Sequence, residues 1–382
     1  MATPFISLYL VESVGAPQVL AGALLGAMAV GFVISLSVGG HLADRFDPWL
    51  ILLLSQVLSG LAYVLLATNP SVLGAALSLF FVGLCGFGQP ALAKMLAESV
   101  SADERTTVFA GQYMMLNIGL GIGAAAGGFL ATALGFQATL LLNSLSFVVF
   151  AMIIVALKRR LQRPAGAPSP PAETEAGDQD RRGYVRVLSD RRFLPLVIGT
   201  LLVGVAAFAQ LESGFPMFTR GFTSVTTSAV GLAWTANTIA VAVLQAPMVR
   251  LIKRLGTRRS LLLGVACFAL AWLGLFLALT WDTPPIAAMC AALVVFGIGE
   301  TLFMPTSNSL ANDLAVPALR GRYNAVMSVT FAAGDVLGPL AAGILLTFGG
   351  VTWVVGLLAL FAVAALLFGI LRQPPHADQP AV

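Results

Sequence analysis

The sequence predicts an all-α membrane protein built from two pseudo-symmetric six-helix bundles, with the first helix shortened at the N-terminus. Three observations predict it. The 382 residues are 58% hydrophobic and only 10% charged, with a mean hydropathy of +0.92, whereas a soluble domain carries about 25% charged residues. The apolar residues fall in long continuous runs rich in Gly, Ala, Leu and Val, the form in which each spanning segment satisfies its own backbone hydrogen bonds. A set of landmarks in the first half also recurs in the second at one constant spacing.

The runs, each near the roughly 20 residues that cross a hydrocarbon core, are expected at 19–39, 49–68, 72–96, 106–134, 138–157, 194–220, 228–248, 260–280, 286–311, 325–347 and 351–371. Residues 3–10 are apolar but too short to cross, and they lack the basic start and cleavage site of a signal peptide. Pro4-Phe5 resembles Pro216-Met217-Phe218. The expectation is therefore that residues 1–10 finish an outward-going first helix whose inner half is missing, through a start assigned too far downstream or a truncated gene.

The hydrophilic stretch 158–192, with Pro164-Ala-Gly-Ala-Pro-Ser-Pro-Pro171 followed by acidic residues, reads as a flexible linker. It sets the expected division into an N-terminal bundle at 1–157, a linker at 158–192, a C-terminal bundle at 193–373 and a tail at 374–382. Basic residues concentrate on cytoplasmic loops. Of the 21 Lys and Arg, Arg220 alone falls on the other side in one alternating topology, so the linker and C-terminus are expected to be cytoplasmic and the chain to lie in the cell membrane.

The halves are copies. Pro90, Glu98, Arg105, Gly119, Gly123 and Gly128 match Pro305, Asp313, Arg320, Gly334, Gly338 and Gly343, every pair at an offset of 215. Parallel repeats of this kind suit carriers whose two bundles rock about a central site. Other chemistries are excluded by what is missing. Cys85, Cys267 and Cys290 are scattered, and His41 and His376 stand apart, so no metal site is expected. No GxxxxGK[ST], HExxH or GxSxG is present, so neither an ATP-driven pump nor an enzyme is expected, and no cofactor. The net charge of +4 is spread over loops and does not point to nucleic acid.

Gly40-His-Leu-Ala-Asp44-Arg45 and its second copy, which includes Arg254 and Gly256, resemble the loop motif between helices 2 and 3 of the major facilitator superfamily. Asn117 to Gly128 resembles the helix 5 motif of that family's drug:proton antiporters, with Ala124 where the motif has proline, a proline kept at Pro339. Gly299-Glu300 to Pro305 and the loop with Arg320 are similar to helix 10 and its following loop in that branch. The resemblance implies the major facilitator fold and alternating access. It also implies that Gly40, Asp44, Arg45, Arg105, Gly123, Gly127, Arg254, Gly256, Arg320, Gly338 and Pro339 serve gating, with Asp44 as a cytoplasmic latch. For the glycines, plain helix packing stands equally as an explanation. For Arg250, Lys253 and Arg259, topology alone suffices.

Ionisable groups within spans are costly and usually functional. Glu300, Asp335 and Glu212 are the proton-coupling candidates, against a reading as hydrogen-bonded ties between helices. Gln210, Asn308, Asn143, Asn237, Gln89 and Asn117 are the cavity candidates, each also suited to an interhelical hydrogen bond. The expectation is a secondary active transporter, proton-coupled, exporting small amphipathic compounds as a monomer in the bilayer. The alternatives are a nutrient uptake carrier of the same fold and a non-transporting membrane sensor or scaffold.

Overall fold

A computed structural model describes residues 3–100, 105–161, 184, 186–281, 283–316 and 319–371. The tail at 374–382 and most of the linker lie outside them. The helices are α1 (Ile6–Glu12), α2 (Gln18–Arg45), α3 (Pro48–Thr68), α4 (Val72–Leu84), α5 (Gly88–Glu98), α6 (Arg105–Leu161), α7 (Leu194–Val203), α8 (Ala209–Glu212), α9 (Gly214–Phe222), α10 (Thr227–Leu255), α11 (Thr257–Thr280), α12 (Pro285–Leu314), α13 (Arg320–Thr347) and α14 (Gly350–Gly369). Ten helical segments among the described residues are long and apolar enough to cross a membrane. Eleven runs become ten because the expected break near 135–137 is a single residue. Gly135, at φ 83° and ψ 168°, interrupts the 57-residue α6, a conformation that only glycine adopts without strain. Its arms, 105–134 and 136–161, are the two expected spans.

Local sequence explains the ends. Asp47 caps α3 by accepting from the Trp49 N–H at 3.0 Å, with Pro48 at the first helical position. Ser71 caps α4 through the Gly74 N–H at 3.0 Å. A 3₁₀ turn, Cys85–Phe87, bends the fourth span between α4 and α5. Between α7 and α8 a π-helical segment, Gly204–Phe208, widens the helix.

The chain forms two compact units. The first comprises 1–171, 211–235 and 339–347; the second comprises 172–210, 236–338 and 348–382. Within the first, α2 and α4 cross through backbone. An ideal Cβ on Gly83 would lie 2.0 Å from the Met28 carbonyl oxygen, and one on Gly31 would lie 2.6 Å from that of Phe80. Polar ties add to this packing. The Tyr9 hydroxyl donates to the Leu66 carbonyl at 2.6 Å, and Ser144 Oγ donates to that of Gly60 at 2.7 Å. Tyr63 stacks on Phe147 with centroids 5.5 Å apart.

The second unit has an aromatic core. Phe268 meets Phe296 at 4.7 Å and Phe208 at 5.5 Å, while Trp272 meets Phe296 at 5.3 Å and Trp353 at 5.6 Å. Trp353 therefore packs inside, whereas Trp281 is exposed. The α11–α12 crossing again uses glycine: a Cβ on Gly299 would sit 2.9 Å from the Gly264 carbonyl oxygen.

These contacts predict that Gly83→Ala, whose methyl meets backbone, costs about 1–3 kcal/mol. Gly111→Ala, which meets nothing within 4 Å, should leave stability unchanged or slightly raised. Thermal unfolding in detergent micelles measures both.

Candidate transport site

Glu300 sits mid-way along α12 and is half-buried. Its carboxyl is hydrogen-bonded to the side chain of Asn237 on α10. The Asn237 Nδ2 also donates to the Leu293 carbonyl at 3.2 Å, one amide thus serving two acceptors on α12. Gly297 makes room for it, since a Cβ there would lie 3.1 Å from Asn237 Nδ2. Two of the residues singled out in the sequence are brought together in this way. Proline adds a third element. Pro305 has no N–H to give the Thr301 carbonyl, and Pro339 none to give the Asp335 carbonyl. Glu300 therefore stands beside, and Asp335 at, a carbonyl without its helical partner. Asp335 itself is exposed.

Gln210 is fully buried, and its amide is committed. Nε2 donates to the Val205 carbonyl at 2.8 Å and the Gly338 carbonyl at 3.1 Å, and Oε1 accepts from the Trp353 indole N–H at 2.9 Å. The π segment explains two of the bonds in this region, because its widened turn releases carbonyls. Val205 O goes to Gln210, and Ala206 O accepts from Trp272 Nε1 at 2.9 Å. Beside this tie, Gly334 lies on Gly204, and a Cβ on Gly338 would meet that of Ala209 at 2.2 Å.

Asp44 has a partner that the motif did not name. Lys94 on α5 reaches Asp44 Oδ1 at 3.2 Å and the Ala43 carbonyl at 3.0 Å. Both side chains are partly solvated, so the pair contributes at most about 1 kcal/mol. Next to it, Lys158 pairs with Asp47. The glycine against which α5 closes is Gly39, whose Cβ would lie 2.3 Å from the Phe87 carbonyl oxygen; Gly40 has open space.

Two crossings in the first unit repeat each other. On α6 and α10, Gly231 lies on the Ala124 carbonyl and Gly128 on that of Thr227, with ideal Cβ–O distances of 2.4 and 2.9 Å. On α13 and α2, Gly22 lies on the Pro339 carbonyl and Gly343 on that of Gln18, at 2.1 and 2.3 Å. Thr235 Oγ1 donates to the Gly121 carbonyl at 3.0 Å, and Ser228 N–H donates to Thr132 Oγ1 at 3.0 Å. Near these crossings Arg220 grips the Glu12 carboxylate through Nε at 2.7 Å and Nη2 at 3.0 Å. Sequence reasoning missed Gly22 and Gly231. The signal was a second register, offset by 209, that pairs Gln18 and Gly22 with Thr227 and Gly231.

The remaining candidates are dispersed. Gly123, Gly127 and Pro339 are buried, but Gly119 has nothing within 4 Å, so the face of α6 that packs is the one carrying Ala124 and Gly128. Asn143 is buried, Asn117 and Glu212 are half-buried, and Gln89 and Asn308 are exposed. The Asn308 carbonyl accepts from Asn312, whose Oδ1 accepts from Asn324. Arg45, Arg254 and Arg320 are exposed, and Gly256 is the left-handed turn before α11. The side chain of Arg105 lies outside the described residues.

The profile of the Major Facilitator Superfamily matches residues 1–236 and again 215–381, which together span almost the whole chain. The chain belongs to the major facilitator superfamily. This family comprises membrane transporters rather than enzymes. The chain is 26% identical to a Na(+), Li(+), K(+)/H(+) antiporter of Planococcus maritimus, over 95% of this chain and 89% of that one. It is 27% identical to the multidrug resistance protein MdtH of Aeromonas salmonicida, over 90% and 82%. Among solved structures it resembles the nucleoside transporter NupG, with a TM-score of 0.79 at 12% identity over 97% and 94% of the chains. It also resembles a POT peptide transporter, with a TM-score of 0.79 at 14% identity over 96% and 90%. These last two likenesses show the fold.

The Gln210 tie predicts that Gln210→Leu destabilises this major facilitator protein by about 1–3 kcal/mol, because it strands a buried indole N–H and two carbonyls. Asn308→Ala, at an exposed site, should change stability by less than about 0.5 kcal/mol. Chemical or thermal unfolding in micelles reads the difference.

Proposed function

We propose that this chain is a proton-coupled secondary transporter that exports small amphipathic compounds by alternating access. The observation that carries the reading is the Glu300 carboxyl, set within a spanning helix and held by Asn237. A carboxyl in such a position changes its proton affinity when water gains or loses access to it. Proton binding there coupled to helix movement is what an exchanger requires. The names of the relatives, a cation/proton antiporter and a multidrug resistance protein, are consistent with exchange and with efflux.

The proposed setting is the cytoplasmic membrane, with the linker and C-terminus inside and the protein acting as a monomer. In that topology the bundles are 1–157 and 193–373, and Glu12–Arg220 and the glycine crossings of α2, α6, α10 and α13 lie at the outer end. Lys94–Asp44 lies at the inner end and serves as the latch that breaks in each cycle. Asp335 and Glu212 are secondary proton sites. Asn308, Gln89, Asn117 and Asn143 are contacts for substrate.

One competing reading has a specific observation behind it. The Asp335 carboxylate and the carbonyl freed by Pro339 are hard oxygen donors on one residue, and backbone carbonyls released from helical hydrogen bonding hold sodium in other carriers. Exchange of a monovalent cation for protons would use them.

Transport by inverted membrane vesicles tests both. With an imposed pH gradient, parent protein should drive dye accumulation, and Glu300→Gln should reduce it at least tenfold while leaving protein yield intact. Undiminished, pH-dependent transport by Glu300→Gln would remove Glu300 from coupling. Collapse of the gradient by added Na⁺ or K⁺, with no dye movement, would favour cation exchange. Asp44→Asn should lower the maximal rate more than the apparent affinity for dye; an equal loss in both would argue against a latch.

A further inference from the structure

The second unit carries a basic cavity at the second copy of the loop motif, which includes Arg254 and Gly256. It has a volume of about 980 Å³ and lies where α10 turns into α11, against the end of α14. Four cations line it: Lys253, Arg254, Arg258 and Arg259. All four are exposed, and none is paired with a carboxylate among the described residues. The turn is made by Gly256 at φ 77°, and no side chain caps α11 after it. The first bonded amide is Ser260, which donates to the Gly256 carbonyl at 3.1 Å. The N–H groups of the first turn and the positive end of the helix dipole therefore add to the four charges. The Arg258 side chain extends toward the last turn of α14, its Nη2 3.8 Å from where a Cβ on Gly369 would lie.

The rest of the lining is apolar. Leu262 lies one turn into α11, and Ile370, at the end of α14, is 66% exposed. A soluble anion gains nothing from those side chains. α10, α11 and α14 are all long and apolar enough to span, so their ends stand at headgroup level. A site there meets phosphodiesters from one side and acyl chains from the other.

We infer that this cavity is a binding site for an anionic phospholipid, its phosphodiester held by Lys253, Arg254, Arg258 and Arg259 and its first acyl carbons lying along Leu262 and Ile370. Basic pockets between spanning helices are a recognised form of lipid site, and guanidinium groups match phosphate oxygens in pairs.

Native mass spectrometry of the full chain in a nonionic detergent, titrated with phosphatidylglycerol, phosphatidylcholine or inorganic phosphate, tests the inference. One phosphatidylglycerol should be retained in preference to phosphatidylcholine, and K253Q/R258Q/R259Q should weaken it at least tenfold. R159Q/R160Q, which alters a different basic helix end, should not. The unfolding midpoint without lipid should be the same in the triple variant and the parent. As a second readout needing no variant, retention by the parent should fall as salt rises. Equal retention by the triple variant, equal binding of phosphatidylcholine, or salt-independent binding would overturn the proposal. Displacement of the lipid by millimolar inorganic phosphate would make this a soluble-anion site and overturn it as a lipid site. Binding seen only after Glu173, Glu175, Asp178 and Asp180 are neutralised would assign the cavity to the chain's own acidic linker, and would also overturn it.

Discussion

Direct contact between a glycine Cα and a carbonyl oxygen of the neighbouring helix is the constraint on which this structure depends. Lipid tails are as apolar as leucine, so spanning helices gain little from burying oily side chains against each other. They gain instead from dense van der Waals contact and from weak Cα–H···O bonds, both of which require backbones to touch. Gly83 on Met28, Gly39 on Phe87, Gly231 on Ala124 and Gly22 on Pro339 are all contacts of this kind. A single methyl group at any of them would occupy the space of an oxygen atom. The glycines at these crossings are therefore a structural resource rather than a sign of looseness.

The same contacts connect fold to mechanism. The α6–α10 and α13–α2 crossings are related by the internal duplication: Ala124 and Gly128 correspond to Pro339 and Gly343, and Thr227 and Gly231 to Gln18 and Gly22. Such surfaces are flat and made of small groups, with few interlocked side chains. They can separate without rotamer rearrangement and close again in the same register, a property that a cyclic carrier needs. Polar ties divide into two kinds accordingly. Gln210, with its three buried partners, is suited to permanence, and the half-solvated Lys94–Asp44 pair is suited to repeated breaking.

Much of this was legible in the sequence, for reasons that can be named. The spans and the repeat rest on composition and spacing, which the bilayer constrains strongly. Glu300 stood out because a carboxyl in a spanning run is rare, and its partner Asn237 was among the amides noted. The packing face of α6 was not legible. Gly119, Gly123 and Gly127 make the more regular ladder, but Gly119 meets nothing, and Ala124 and Gly128 make the contact. A spacing pattern shows which residues share a stripe, and only the neighbouring helix decides which stripe is used. Gln210 read as a cavity residue because an isolated amide in an apolar run has no visible partner. Its partners are the carbonyls of Val205 and Gly338 and the indole of Trp353, the last two distant in sequence. Lys94 counts in the sequence as one of the basic residues that set topology; its bond to Asp44 joins positions 50 residues apart and has no signature in spacing.

The π segment at Gly204–Phe208 has a practical corollary for anyone choosing positions along residues 194–220. One residue inserted into a turn advances everything after it by about 100°. A projection drawn with uniform 3.6-residue turns from Leu194 thus assigns Glu212 and Pro216 to the wrong azimuth, roughly a quarter-turn out. Alternation of polar and apolar residues in that stretch should be interpreted in two pieces, before Gly204 and after Phe208, each with its own origin.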